Sequence, residues 1–205
     1  MVSGIRIYFE GGGDSKDTKI QMREGLSTFL KDLVSLARSR RIKWQIIVCG
    51  SRNDAYDSFK TALKAHSTAF NILLVDSEGP ITQEPWQHLR DRDRWGLRRV
   101  NNTHCHLMVQ AMEAWLIADV DALEKYYGQR FNKGAIPPNQ DVEQISKREL
   151  ERALKAATQK TKTKGAYHKT RHASELLARL DAKKVCNASK HCKRLFTTLI
   201  QKMNG

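Results

Sequence analysis

Two acidic clusters stand where short apolar runs end. Ile5-Arg6-Ile7-Tyr8-Phe9 gives way to Glu10-Gly11-Gly12-Gly13-Asp14, and Asn71-Ile72-Leu73-Leu74-Val75 gives way to Asp76-Ser77-Glu78-Gly79-Pro80. Carboxylates are the oxygen ligands that a hard cation such as Mg2+ prefers, and that ion usually keeps waters and phosphate oxygens in its shell. A cation held by Glu10, Asp76 and Glu78 would polarise a phosphoryl oxygen and lower the pKa of a bound water. The expected chemistry is metal-assisted cleavage of a phosphate ester. The catalytic set is Glu10, Asp76 and Glu78, with Mg2+ or Mn2+ as cofactor.

Each of these residues also has a plainer role. Glu10 alone would be a solvated strand-end charge. Asp14 either assists the metal or, as an alternative to Ser15, caps the helix that follows it. Asp76 could close a turn before Gly79-Pro80. Glu113 lies among Met112, Ala114, Trp115, Leu116 and Ile117, and a buried charge needs a partner. It is therefore either a further metal ligand or the partner of a buried arginine. The glycines at 11–13 lack the G-K-[ST] ending of a phosphate loop and the spacing of a dinucleotide fingerprint. The metal reading gains from position, since ligands of open α/β sheets sit beyond the carboxyl ends of the strands.

The elements that must position these groups follow from periodicity. Residues 4–10, 43–49 and 70–75 read as buried strands, and 16–39 and 53–66 as helices between them. This βαβαβ order predicts a parallel sheet with right-handed crossovers. Residues 79–101 break the pattern with two prolines, two tryptophans and Arg90, Arg92, Arg94, Arg98 and Arg99. They read as a loop or short helix over the sheet edge. A fourth strand is expected at 104–109 and helices at 110–119 and 120–127. A linker runs over 128–145, and three helices follow at 147–158, 169–180 and 189–203. The fold class is thus α/β, a parallel sheet flanked by helices in residues 1–127, with a basic helical extension over 146–205.

Charge points to the partner. The 205 residues carry 36 Lys/Arg against 22 Asp/Glu, a net charge of +14. Residues 146–205 alone hold 16 Lys/Arg and 4 Asp/Glu, a net of +12. Such a block is the electrostatic footprint of a polyanion, whose phosphates supply most of the binding energy. The candidate nucleic-acid contacts are Arg94, Arg98, Arg99, Lys162, Lys164, Lys169 and Arg171. No apolar run approaches the ~20 residues that span a bilayer, and the chain enters a strand directly from Met1. The expected location is therefore the cytoplasm, with no membrane association. The four cysteines form no C-x-x-C pair, so neither a zinc site nor a disulfide framework is signalled. His168 and His172 lack the H-E-x-x-H pattern of a zinc helix, and His104 and His106 read as structural.

A Glu followed by glycines and an Asp, paired with a later D-x-E at a strand end, resembles the Toprim domain. That is the metal-binding module of topoisomerases, primases and several nucleases. The run His106-Leu-Met-Val-Gln110-Ala-Met-Glu113-Ala-Trp115-Leu-Ile-Ala-Asp119, with Tyr167-His-Lys169-Thr-Arg-His172-Ala-Ser-Glu-Leu-Leu, resembles a bacterial Toprim-like family of unknown function that is often encoded beside ATPases. The resemblance implies a Toprim-like fold and a metal-dependent nuclease, with a role in phage defence and an ATPase as partner. Glu10 matches the glutamate of the first motif, as general base or ligand. Asp76 and Glu78 match the D-x-D carboxylates, with Glu in place of the second Asp. Two other classes stay open: a non-catalytic nucleic-acid-binding subunit of an ATPase complex, and a small-molecule phosphoryl hydrolase.

Overall fold

A computed structural model describes residues 2–97, 100–138 and 140–205. Its centre is a four-stranded sheet in the order β2-β1-β3-β4, built from β1 (Gly4–Glu10), β2 (Lys43–Gly50), β3 (Phe70–Asp76) and β4 (Cys105–Met108). Every pairing is parallel. The expected α/β architecture is the one observed, and it is consistent with a Toprim-like fold.

Side chains alternate across a strand with period two, and two cores result. Ile5, Ile7, Phe9, Ile46, Val48, Ile72, Leu74 and Met108 point to one face. Tyr8, Cys49, Leu73, Val75, Cys105 and Leu107 point to the other. The second face is covered by α3 (Arg52–Ala65) and α4 (Pro85–Asp93), through Ala55, Phe59, Trp86 and Leu89. All seven residues of β3 are buried, as an interior strand covered on both faces requires.

The first face carries the other helices. Ser15 caps α1 (Lys16–Phe29) by accepting from the Thr18 N–H, and Met22, Leu26 and Phe29 form its buried stripe. The single helix expected over 16–39 is broken at Leu30, and α2 (Lys31–Ser39) restarts there. Neither Gly nor Pro marks the break. The offset keeps Leu30, Leu33 and Ala37 all in the core.

Three further helices are α5 (Glu113–Ile117), α6 (Val120–Tyr127) and α7 (Lys147–Thr158). The helix expected from 110 begins only at Glu113. Residues 108–110 instead continue alongside β3, with Ser77 N–H donating to the Met108 carbonyl and Glu78 N–H to that of Gln110. Three more helices complete the chain: α8 (Lys169–Leu177), α9 (Ala182–Ala188) and α10 (Lys190–Asn204). Seven-residue α9 is too short to show periodicity in the sequence.

Leu150, Leu154, Leu176, Leu177, Leu195 and Leu199 of the basic C-terminal part are fully buried in the same core as the strands. The stretch read as a linker also buries Ile136, Val142 and Ile145. Among the described residues, no helix is long and apolar enough to cross a membrane.

Candidate metal centre

Glu10 and Asp76 are the last residues of β1 and β3, adjacent strands running in parallel. Parallel pairing brings their ends to one edge, and the Asp76 N–H donates to Glu10 Oε2 at 3.1 Å. Glu78 joins them because it takes a left-handed backbone, with φ of 63°, which is uncommon for a residue with a Cβ. Its N–H is held by Gln110. Glu10, Asp76 and Glu78 each offer a ligand oxygen, and these oxygens lie within 4.8 Å of one another. The donor set is all oxygen, which fits a hard divalent cation.

Each carboxylate also faces a cationic side chain. Arg52, on the first turn of α3, donates to Glu10 Oε2 at 3.1 Å and to the Asp76 carbonyl oxygen. Its other nitrogens grip Asp93 at 2.9 and 2.7 Å. The guanidinium lies 5.0 Å over the Trp95 ring, and that ring stacks on Tyr56. Lys147, the first residue of α7, donates to both oxygens of Glu78 at 2.7 Å. Lys169, the first residue of α8, stands 3.3 Å from Asp76 Oδ2 and 3.3 Å from Glu113 Oε2. Asp76 Oδ1 accepts from the Met112 N–H at 2.8 Å.

Burial and crowding shift these groups. Loss of water around Asp76 outweighs the pull of Lys169, and with repulsion from Glu10 and Glu113 it pushes the carboxyl up to about 7. Burial also raises Glu10, against the opposing charge of Arg52. Burial works in the same direction on Glu78, but the hydrogen bond and charge of Lys147 outweigh it and hold the carboxyl low.

A cavity of about 220 Å3 opens beside the cluster. Its wall is formed by Glu10, Gly11–Gly13, Gly50, Asp76, Lys169 and Thr170, with Met22 and Met112. Gly11 and Gly50 exchange backbone hydrogen bonds at 2.9 and 3.1 Å, closing the loop over the strand ends. Gly12 has φ of 82°, and an added Cβ would stand 2.6 Å from Val48 Cγ1. Only glycine fits this approach.

The remaining candidates fall elsewhere. Asp14 is exposed and outside the gathered trio, and the cap on α1 is Ser15 rather than Asp14. Glu113 is buried, but its partners are Lys169 and the Tyr167 hydroxyl at 3.0 Å, not an arginine. Lys169, expected among the nucleic-acid contacts, sits between two carboxylates. Arg94 ends α4 in a left-handed conformation and is exposed. Lys162 and Arg171 are also exposed, whereas Lys164 lies 3.6 Å from Glu175 and 4.6 Å from the Tyr126 ring centre. Arg98 and Arg99 lie outside the described residues. Asp119 caps α6 and receives Lys184 at 2.8 Å.

His104, His106 and His172 have hydrogen-bond partners within the fold. A ring nitrogen of His104 meets the Asn71 carbonyl at 2.7 Å, and one of His106 meets that of Thr103 at 3.0 Å. His172 Nδ1 accepts from the His168 N–H at 3.1 Å and lies 3.2 Å from the Tyr127 hydroxyl. Sequence reasoning missed Arg52, Lys147 and Tyr167. Arg52 had one local signal, its position just after the Gly50-Ser51 turn at a strand end. Lys147 and Tyr167 meet the site only through packing.

With this geometry in place, comparison with known sequences adds one assignment. The chain belongs to a family described as a domain of unknown function, DUF4276, whose profile matches residues 9–200. No curated protein and no solved structure matches it.

Proposed function

We propose that this DUF4276 chain is a Toprim-like, divalent-metal-dependent phosphodiesterase acting on nucleic acid, with Mg2+ or Mn2+ as its cofactor. One observation carries the reading: Glu10, Asp76 and Glu78 converge within 4.8 Å at the carboxyl edge of adjacent parallel strands. These three carboxylates would hold the cation. When bound, it would supply Lewis-acid polarisation of a phosphoryl oxygen and a water acidic enough to act as nucleophile.

The chain's own residues do the rest. Arg52 fixes the Glu10 carboxylate and the end of β3 together, which keeps the ligand oxygens in register. Lys147 and Lys169 neutralise the cluster in the absence of metal. With the three carboxylates holding a cation, each ammonium would be free to turn toward an incoming phosphate. Their charge would offset the negative charge that develops as the phosphate is attacked. The cavity, at about 220 Å3, lies below the ~300–1,000 Å3 of sites that enclose a drug-sized ligand. It suits one phosphate group with the rest of the substrate outside. Exposed Lys162, Arg171 and Arg94 would steer the strand.

One observation favours a second reading. Every ligand carboxylate already has a cationic partner, so the cluster is satisfied as a structural network. That suits a non-catalytic nucleic-acid-binding subunit, working with an ATPase partner. The test incubates the purified chain and Asp76→Ala with single- and double-stranded DNA and RNA, in Mg2+, in Mn2+ and in EDTA. The proposal expects cleavage by the wild type only, in metal only. Tight binding with no cleavage, unchanged by Asp76→Ala, would establish the second reading instead.

A further inference from the structure

Two of the four cysteines lie side by side where α9 meets α10. Cys186 is in the last turn of α9 and Cys192 in the first turn of α10. Their sulfurs are 3.7 Å apart. All four thiols are free. Cys49, Cys105 and Cys192 are buried, and Cys186 alone is partly exposed.

The two sulfurs differ in access. Cys186 lines an apolar groove of about 530 Å3 between α2, α9 and α10, with Leu33, Leu36, Phe196 and Ile200. Cys192 is fully buried behind it. A reactive cysteine is typically accessible and thiolate-like, with a second thiol beside it to resolve the first product. The thiol of Cys192 is placed to donate to the Cys186 sulfur, and that hydrogen bond, helped by Lys193, holds the Cys186 thiol below its usual range against the effect of burial. A disulfide needs sulfurs about 2.05 Å apart. The two cysteines sit on either side of the junction at Ser189, where the backbone leaves the helical conformation with φ of −134° and ψ of 110°. The approach therefore requires movement at one junction between two helices.

We propose that Cys186 and Cys192 form a reversible two-electron redox couple, oxidised by hydroperoxides to an intramolecular disulfide. In the first step the Cys186 thiolate attacks the distal oxygen of the hydroperoxide. The O–O bond breaks, an S–O bond forms, and the alkoxide or hydroxide leaving group takes a proton. In the second step the Cys192 sulfur attacks the Cys186 sulfenic acid. An S–S bond forms, the S–O bond breaks, and the hydroxyl leaves as water with the proton of Cys192. Two thiols lose two electrons and one hydroperoxide gains them. Thiol reductants reverse the change by exchange.

The experiment titrates the reduced full-length chain with hydrogen peroxide, removes the peroxide, unfolds the chain in guanidinium, blocks the remaining thiols with iodoacetamide and maps the peptides by mass spectrometry. The expected result is a fall from four alkylatable thiols to two, a Cys186–Cys192 cross-link that dithiothreitol removes, and Cys49 and Cys105 still alkylated. In Cys192→Ser, dimedone should label Cys186. Recovery of Cys186 and Cys192 as separate alkylated peptides while Cys49 or Cys105 is consumed would overturn the proposal. So would conversion of Cys186 in the wild type to the sulfinic acid without any cross-link.

Discussion

Lys169 Nζ lies 3.3 Å from Asp76 Oδ2 and 3.3 Å from Glu113 Oε2, so one ammonium serves two buried carboxylates. Asp76 ends a strand, Glu113 begins a short helix, and Lys169 begins α8 far along the chain. The candidate metal centre is therefore completed by the C-terminal half. Lys169→Met should leave two buried acids facing each other. Removing one partner of a buried pair can cost 3–5 kcal/mol, but this ammonium is itself 44% exposed, so ~2 kcal/mol is expected. Urea unfolding at neutral pH measures it. Adding Glu113→Gln to Lys169→Met should recover part of the loss, and full additivity of the two changes would show that the groups do not interact.

Calorimetric titration with Mn2+ should detect binding that Asp76→Ala weakens by more than about tenfold, or ~1.4 kcal/mol. Glu10→Ala should act in the same direction. Equal affinity in the wild type and in Glu10→Ala/Asp76→Ala would remove the metal centre from consideration.

Nucleic-acid affinity should fall linearly with log salt, with a slope near −0.9 for each duplex phosphate neutralised. The buried leucines of α7, α8 and α10 make truncation a poor test, because it would open the shared core. Lys162→Gln/Arg171→Gln changes only exposed charges, and should make the slope shallower by about 0.9 for each phosphate left without its cation. An unaltered slope and affinity would show this face to be solvated surface.

Gly25 lies on the buried stripe of α1, where a Cβ would stand 2.3 Å from the Ser174 carbonyl oxygen of α8. Alanine has the better helix propensity by about 1 kcal/mol. Overpacking a tight site costs about 1–3 kcal/mol, and the obstacle here is backbone, which yields least. Gly25→Ala should therefore destabilise. Because α8 carries Lys169 into the carboxylate cluster, it should also change Mn2+ affinity. A rise in melting temperature would contradict the close α1–α8 packing.

His106 is buried, with one ring nitrogen on the Thr103 carbonyl and the other receiving Arg194 at 3.2 Å. Burial, reinforced by the Arg194 charge, pushes its pKa down from 6.5 to about 3. The unfolded chain binds this proton first as the pH falls, so the stabilisation present above pH 6.5 is lost on acidification toward 3. The loss amounts to about 1.4 kcal/mol for each pH unit in that window. Unfolding free energies at pH 6.5 and 5 should thus differ more in the wild type than in His106→Gln. Identical pH slopes would mean that His106 is accessible to protons in the folded state.

The parallel sheet and the trio of carboxylates were legible in the sequence for a local reason. A strand's buried run and the residues that end it are contiguous, and parallel pairing of β1 with β3 brings both ends to one edge. Glu10, Asp76 and Glu78 could therefore be named from two short segments. The cap at Ser15 that starts α1 was equally local. The break at Leu30 was not, because no Gly or Pro announces it and its cause is a fit to the core. The start of α5 was misread since residues 108–110 make their hydrogen bonds to Ser77 and Glu78, partners that periodicity does not reveal.

What neutralises the cluster was decided by tertiary structure alone. Arg52, Lys147 and Lys169 reach it from three helices, and the spacing between Asp76 and Lys169 carries no pattern. The sequence offered Lys169 as one cation among many in a basic tail, and offered Glu113 as either a ligand or an arginine's partner. Packing of α8 on α5 joined the two. Local spacing can determine which groups end a strand, since the backbone fixes their separation. Which charges meet across a core depends on how whole helices pack.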